Sequence, residues 1–247
     1  MTWRCGTPRG RRSAAGWRRR DEGVALVAAL VVMALVAAIG LGLVLTTSLE
    51  PLAARNYETS WAAACAADAG VAIAAHELAS IADWDPVLGG QVASSILSQS
   101  ATTVELPGGS SAGLAELTNL ATCGHAAACS ASEAGAFTSE RPWGPNNPRW
   151  QLFGHGRLDQ LVSASPGVPP IEVVVWVGDD PADVDGDPYH DTRLGPAGEW
   201  RPGACVVAIR AEAFAPRFGH RTVVATVGRP DPACGPGVRV VSWRGLN

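Results

Sequence analysis

The first quarter of the chain carries an unbroken apolar run. Val24–Leu45 contains no charged and no strongly polar side chain. A helix of this length extends about 33 Å at about 1.5 Å per residue, which is enough to cross a hydrocarbon core of about 30 Å. The pattern therefore predicts a single transmembrane helix.

Charges on the two sides of this run predict its orientation. Arg18, Arg19 and Arg20 precede it, whereas only Glu50 and Arg55 follow closely. The positive-inside rule then places the N-terminus in the cytoplasm and the rest of the chain outside. A cleaved secretory signal has a shorter apolar region, of about 7–15 residues. An uncleaved signal anchor is the stronger alternative.

Helical patterning continues beyond the apolar run. The segment Tyr57–Ile81 is rich in alanine and free of proline, which favours a helix. Pro51 interrupts the pattern and predicts a kink just outside the bilayer. A helix that resumes there would extend roughly 87 Å at about 1.5 Å per residue. The apolar stripe that we expect to pack against a globular domain comprises Trp61, Val71, Leu78 and Ile81.

From Asp83 onward, glycine, proline, serine and short β-branched runs replace the helical pattern. Turns are predicted at 108–111 and 163–170. The predicted strands are Thr102–Leu106, Gly113–Leu120, Trp150–Val162, Ile171–Val177, Ala204–Phe214, Arg221–Val227 and Val238–Trp243.

The clearest strand pair is a hairpin formed by 205–214 and 222–227. Val207, Ile209 and Ala211 alternate there with Arg210 and Glu212, as in a sheet with one buried face. We therefore predict an α+β protein in which a mostly antiparallel sheet packs on the long helix. The predicted regions are a basic leader at 1–23, a transmembrane and extended helix at 24–82, and a β-rich domain at 83–247.

Charge and motif content narrow the function classes. Residues 1–23 hold seven arginines against two acids, and the rest holds twelve arginines against twenty-one acids. Such an acidic body argues against nucleic-acid binding. The chain has no nucleophile elbow, zinc-protease motif, P-loop or dinucleotide fingerprint, so we expect no enzyme activity. His155, between Gly154 and Gly156, is expected to be either hydrogen-bonded or exposed, without a catalytic role. Tryptophans near Pro or Gly are either anchors for a partner or core residues, and include Trp84, Trp143, Trp150 and Trp200.

Six cysteines divide by compartment. Cys5 lies in the leader, and Cys65 lies in the helix, where we expect a buried free thiol. The other four lie outside the membrane, where oxidising conditions favour disulfides. Three connectivities are possible, and the preferred pairing is Cys123–Cys129 with Cys205–Cys234. A zinc half-site at Cys123, His125 and Cys129 is the alternative, but no second ligand pair follows.

Six aspartates crowd the thirteen residues Asp179–Asp191. Asp183, Asp185, Asp187 and Asp191 fall at relative positions 1, 3, 5 and 9, as in an EF-hand loop, and an oxygen-rich loop suits Ca²⁺. Glycine is at position 4 instead of 6, and Leu194 occupies position 12 in place of a bidentate glutamate. The alternatives are a calcium site and a solvated acidic turn.

Two motifs carry a resemblance to a known family. Arg20-Asp-Glu-Gly23, followed by Val24-Ala-Leu-Val, resembles a prepilin leader, with cleavage expected between Gly23 and Val24. Ala28, at the fifth mature position, replaces the glutamate of most pilins, as in PilX-type pilins and GspK-like pseudopilins. Ala66-Ala-Asp-Ala-Gly-Val71 resembles the Ala-Glu-Ala-Gly-Val stretch of PilX N-terminal domains. The aspartate loop and the last strands also look like the tails of PilX-like proteins.

This resemblance implies a minor pilin or pseudopilin-like subunit of a type IV pilus or type II secretion filament. It implies a single-pass protein of the bacterial inner membrane with a periplasmic C-terminal domain. Its partners would be a prepilin peptidase, membrane lipid and other minor pilins or pseudopilins. A subunit lacking the glutamate suits the tip of a surface filament. The alternative is a signal-anchored periplasmic domain, ion-binding or enzymatic, that never enters a filament.

Overall fold

The computed structural model describes residues 18–97, 101–106, 108–161, 170–183, 185–191, 199, 203–216, 219–230 and 234–246. Cys5, Leu194, Trp200 and most of the turn predicted at 163–170 lie outside these residues. The chain divides into two compact units, Met1–Ala54 and Arg55–Asn247. Each unit is described by itself.

The described part of the first unit is helical. Helix α1 comprises Arg18–Leu78 and continues through Pro51 without a break. Among the described residues, one segment, Gly23–Leu78, is long and apolar enough to cross a membrane. The large apolar side chains of Val24–Leu45 are 56–70% exposed. Because exposed apolar surface on this scale is unfavourable in water, this stretch is suited to an apolar environment such as a membrane.

The second unit combines the end of α1 with two antiparallel sheets. A small sheet pairs β1 with β2, and a five-stranded sheet has the order β3-β4-β5-β6-β7. Every pairing is antiparallel, so the predicted α+β class with a mostly antiparallel sheet is confirmed. The strands are β1 (Thr103–Glu105), β2 (Ser111–Gly113), β3 (Gln151–Arg157), β4 (Glu172–Asp179), β5 (Val206–Ala215), β6 (Gly219–Gly228) and β7 (Arg239–Leu246). The short helices are α2 (Asp85–Leu88), α3 (Leu114–Cys123), α4 (Ala131–Ala134) and α5 (Leu158–Leu161), with a 3₁₀ turn at Gly144–Asn146.

The predicted hairpin is present as β5 and β6. Phe214 pairs with His220, and Val207 pairs with Val227. Val207, Ile209 and Ala211 are fully buried, which confirms the inner face read from their alternation.

One predicted strand is wrong, and another is too long: of Trp150–Val162 only Gln151–Arg157 is a strand, and helix α5 follows from Leu158. The segment 113–120 contributes only Gly113 to β2, and helix α3 begins at Leu114. Glu116 accepts a hydrogen bond from the Gly113 amide at 3.3 Å, and Gly124 ends the helix in a left-handed conformation at φ 80°. Leu114, Leu117 and Ala121 are buried at helical spacing, so this run has a period of 3.6 and not 2.

The C-terminal part of α1 packs on the inner face of the sheet through small residues. A Cβ atom added to Gly70 would lie 2.7 Å from Cγ1 of Val173, 3.0 Å from Cγ2 of Val175 and 3.3 Å from Cβ of Ala211. Helix and strands therefore approach more closely than any side chain at position 70 allows. The fully buried residues of this part of the helix are Ala63, Ala66, Ala67, Val71, Ala74 and Leu78.

Two predictions for this helix need correction. Trp61 was expected in the buried stripe with Val71 and Leu78, but it is 63% exposed. Cys65 was expected to be buried and is an exposed free cysteine. Because four of the six fully buried residues of this part of the helix are alanines, a large apolar residue such as Trp61 is not a reliable marker of the packed face.

A buried arginine side chain contacts the segment that follows the end of α1. The guanidinium of Arg229 lies 4.0 Å from the ring centroid of Trp84, which is 1% exposed. Arg229 also donates hydrogen bonds to the carbonyls of Ile81 and Ala82, just beyond the helix. Trp84 donates to the Leu78 carbonyl at 3.1 Å. The last carbonyl of the helix thus accepts from Trp84, and two carbonyls just after the helix accept from Arg229.

Both disulfides of the preferred pairing form. Cys123 is bonded to Cys129 with a Cα–Cα distance of 6.0 Å, and Cys205 is bonded to Cys234 at 5.6 Å. The first closes the loop after α3, and the second links the start of β5 to the segment after β6. Since Cys123 and Cys129 are bonded to each other, the zinc alternative loses two of its ligands.

Gly70→Ala should destabilise the protein. Glycine to alanine inside an exposed helix usually stabilises by about 0.5–1 kcal/mol, but overpacking a core costs about 1–3 kcal/mol. We expect the free energy of unfolding to fall by about 1–2 kcal/mol, measured by urea denaturation followed through tryptophan fluorescence. Ala72→Leu, on the exposed side of the same helix, is the control and should change it by less than about 0.5 kcal/mol. A gain in stability for Gly70→Ala would contradict the close approach.

Candidate metal centre

The aspartate-rich loop starts where β4 ends. Asp179 is the last residue of that strand and is 6% exposed, whereas Asp183 is 1% exposed. Carboxylate oxygens of Asp179, Asp183 and Asp185 all lie within 4.8 Å of one another. Three acidic groups this close repel one another strongly unless a proton or a cation lies between them. The cluster could therefore hold a metal ion.

Two of the four predicted calcium ligands belong to this cluster, and two do not. Asp187 accepts a hydrogen bond from the Tyr189 amide at 3.2 Å and pairs with Nδ1 of His190 at 2.8 Å. Asp191 accepts a hydrogen bond from the Cys205 amide at 2.6 Å. The EF-hand-like set is thus not brought together as a unit.

Asp179 is the member of the cluster that the spacing argument missed. Its position directly after the buried run of β4 is the sequence signal that could have found it, because a carboxylate at the end of a buried strand is rarely left without a role. The loop then folds back, so that the carboxylates of Asp183 and Asp185 lie close to that of Asp179.

Backbone hydrogen bonds explain the spacing of the aspartates. Asp183 accepts from the Asp185 amide at 3.0 Å, and Asp185 accepts from the Asp187 amide at 2.7 Å. An aspartate that bonds the amide two residues ahead forms an Asx turn, so aspartates at alternate positions make successive turns. The pattern that resembled positions 1, 3 and 5 of an EF-hand thus also has a purely structural role.

A glycine from the segment before β5 supports the loop. Gly203 has φ +92°, and a Cβ there would lie 2.7 Å from Cα of Asp183. Only glycine tolerates both the conformation and the contact. The loop is therefore held against the start of β5.

The electrostatics of the cluster favour an added positive charge. Burial, with the neighbouring Asp183 carboxylate, raises the pKa of Asp179 to about 8. Burial also raises the pKa of Asp180. Oδ2 of Asp185 is buried and has no hydrogen-bond partner among the described residues. A hard cation would take these oxygens as ligands and remove the repulsion, and Ca²⁺ would need further oxygens from backbone or water to reach six to eight.

His155, the other residue considered for chemistry, is a buried part of β3. It is 5% exposed, and desolvation lowers its pKa. It pairs across the sheet with Val174 and is flanked by buried glycines. These surroundings keep its imidazole neutral near pH 7.

When no cation is bound, the free energy of unfolding should depend on whether Asp179 is protonated in the folded protein. The pKa of about 8 in the folded state lies above the unfolded value near 3.9, so this group stabilises the fold at low pH. That contribution is lost as the pH rises from about 4 through 8. In the presence of a chelator, Asp179→Asn should therefore reduce the fall in the free energy of unfolding over this range.

The matched control is Asp83→Asn, which changes an exposed aspartate outside the cluster. It should keep the slope of the wild-type protein, measured by urea denaturation at several pH values. An unchanged slope for Asp179→Asn would show that Asp179 is ionised in the folded protein.

Comparison with known proteins assigns no family to the chain. No family model matches it, and no curated protein and no solved structure matches it significantly. Its function has therefore to be argued from its own residues.

Proposed function

We propose that this protein is a minor pilin or pseudopilin-like subunit that helps to prime, assemble or cap a type IV pilus or type II secretion filament. The observation that carries the proposal is the use of one helix for two purposes. The residues Val24–Leu45 of α1 are exposed and apolar, and the part of α1 from Ala63 to Leu78 is built into the core of the second unit. A helix that served only as a membrane anchor would not need to continue into the core of the folded domain.

The apolar part of the helix suits a subunit that moves between lipid and protein. Within the membrane its side chains would contact acyl chains, and in a filament they would contact the helices of neighbouring subunits. Both surroundings are apolar, so leaving the bilayer exposes little of this surface to water. Arginines on the N-terminal side would hold the helix with its leader in the cytoplasm.

The leader junction provides the direct test. Gly23 lies in α1, and a Cβ added there meets nothing within 4 Å, so Gly23→Ala leaves the fold unchanged. Co-expression of the full chain with a prepilin peptidase should give a product that begins at Val24, measured by intact mass and N-terminal sequencing. Gly23→Ala should reduce cleavage by at least tenfold, because a methyl group obstructs an extended backbone in a narrow protease site.

Gly40→Ala is the matched control for this experiment. Gly40 lies in the same helix with equally open space around it, so the variant should be cleaved like the wild type. A product that retains the leader in the presence of active peptidase, or one cut after Leu45, would refute the proposal.

A second candidate function, an anchored ion-binding domain, is favoured by the carboxylate cluster. In this proposal Asp179, Asp183 and Asp185 bind Ca²⁺ and fix the loop after β4. The buried Oδ2 atom of Asp185 and the high pKa of Asp179 support it.

Calcium at millimolar concentration should raise the thermal midpoint of the full chain. The double variant Asp183→Asn/Asp185→Asn should lose this shift because it removes two of three charged ligands, and Asp187→Asn should retain it. Isothermal titration provides the second readout. The absence of both heat and thermal shift with wild type at millimolar ion would exclude calcium as the ligand.

A further inference from the structure

Part of the outer face of the large sheet is an arginine-lined groove. Helix α3 and Trp150 cover Val174 and Trp176 of β4, together with Ala208 of β5. Toward β6 and β7 a cavity of about 360 Å³ remains. Its lining includes two tryptophans and three arginines, namely Trp143, Trp150, Arg141, Arg210 and Arg244.

The charge of this groove is opposite to that of the chain around it. After residue 23 the chain has twelve arginines and twenty-one acidic residues, yet the groove is lined by three guanidiniums and by Glu140 as its one carboxylate. A local cluster of positive charge in a cleft attracts anions even where the net charge of the chain is negative. The groove therefore favours a negatively charged ligand.

The three arginines are held differently. Nη1 of Arg141 donates to the carbonyls of Thr122 at 2.7 Å and Glu133 at 3.2 Å, which fixes the guanidinium without a carboxylate partner. Arg210 is paired with Glu212, which is itself buried. The side chain of Arg244 is exposed, and its guanidinium has no hydrogen bond or ion pair with another described residue. Arg244 is thus the cation with most capacity for a ligand.

The groove also borders a free strand edge. Ser242, Arg244 and Leu246 of β7 line it, and β7 is the last strand in the sheet order. On the side away from β6, no described strand pairs with β7. An extended peptide could add to this edge through backbone hydrogen bonds, as in β-strand addition. A small anion would use the arginines but not the edge or the tryptophans.

We propose that this groove binds an extended acidic segment of a partner protein. Carboxylates of the segment pair with Arg244 and Arg141, and its apolar side chains contact Trp143. Tryptophan and arginine are the residue types that contribute most to binding at protein interfaces. The proposal does not depend on filament assembly, since the groove and its residues are present whether or not the leader is cut.

The probe is a fluorescein-labelled peptide of alternating glutamate and apolar residues, Glu-Phe-Glu-Val-Glu. We expect saturable binding to the detergent-solubilised full chain below millimolar concentration, measured by fluorescence anisotropy. Binding should weaken as salt increases, because exposed charges are screened. The same peptide with glutamine in place of glutamate should bind at least tenfold more weakly.

Two arginines of β7 give a matched pair of variants. Arg244→Gln should weaken peptide binding by roughly tenfold, since it removes a charge-assisted pair. Arg239→Gln changes an exposed arginine of the same strand that does not line the groove, and it should have no effect. The variant Arg244→Glu should not bind the acidic peptide. It should instead bind a peptide that has lysine in place of each glutamate. That exchange shows direct contact, which a loss of folding cannot produce.

Three results would overturn the proposal. The first is a lack of saturable binding up to millimolar peptide. The second is an equal effect of Arg244→Gln and Arg239→Gln. The third is self-association of the wild type that Arg244→Glu abolishes and that the acidic peptide does not displace, which would make a second copy of this chain the occupant of the groove.

Discussion

The close contact between helix α1 and strands β4 and β5 determines where the rest of the second unit lies. Gly70 permits a separation at which Val173 and Val175 of the sheet approach the helix backbone. With the helix this near, the alanines around Gly70 are large enough to fill the interface. Arg229 then closes the end of the helix by contacting Trp84. Because the helix covers only the inner face of the sheet, side chains on the outer face are available for other contacts.

The loop after β4 shows how one residue type can satisfy the backbone and accumulate charge at the same time. Asp183 and Asp185 each accept an amide two residues ahead, which folds the loop. The same residues bring their carboxylates next to Asp179. The turns therefore form at an electrostatic cost, which is lowered either by a proton on Asp179 or by a bound cation.

Alternation predicted the hairpin of β5 and β6 because Val207, Ile209 and Ala211 share its buried inner face. The other face is not simply exposed, since Ala208 and Glu212 are buried as well. Alternation failed at Leu114–Cys123, where leucines at three-residue spacing and a glutamate near the start indicate a helix. The inner face of α1 was harder to predict. Alanine is compatible with buried and exposed positions alike, so the sequence favours Trp61 as a marker of the packed face, although its side chain is 63% exposed.

The candidate site was only partly predictable for a different reason. Spacing within the loop identified Asp183 and Asp185, but the third member depends on how the loop folds back onto β4. That return is fixed by Gly203, twenty residues beyond Asp183, and by the amide of Cys205 on Asp191. Contacts between such distant positions leave no periodic signal along the chain.

The contact at Gly70 also sets the order in which parts of the domain can pack during synthesis. The helix is made first, but its partners Val173 and Ala211 follow more than a hundred positions later. Until then its alanine face has nothing to cover it, and closure of so long a loop is entropically slow. The helix must therefore remain without its sheet partners while most of the domain is still to be translated. A membrane that holds the first part of this helix in place would shorten the search, because one of the two surfaces that have to meet would already be fixed in position.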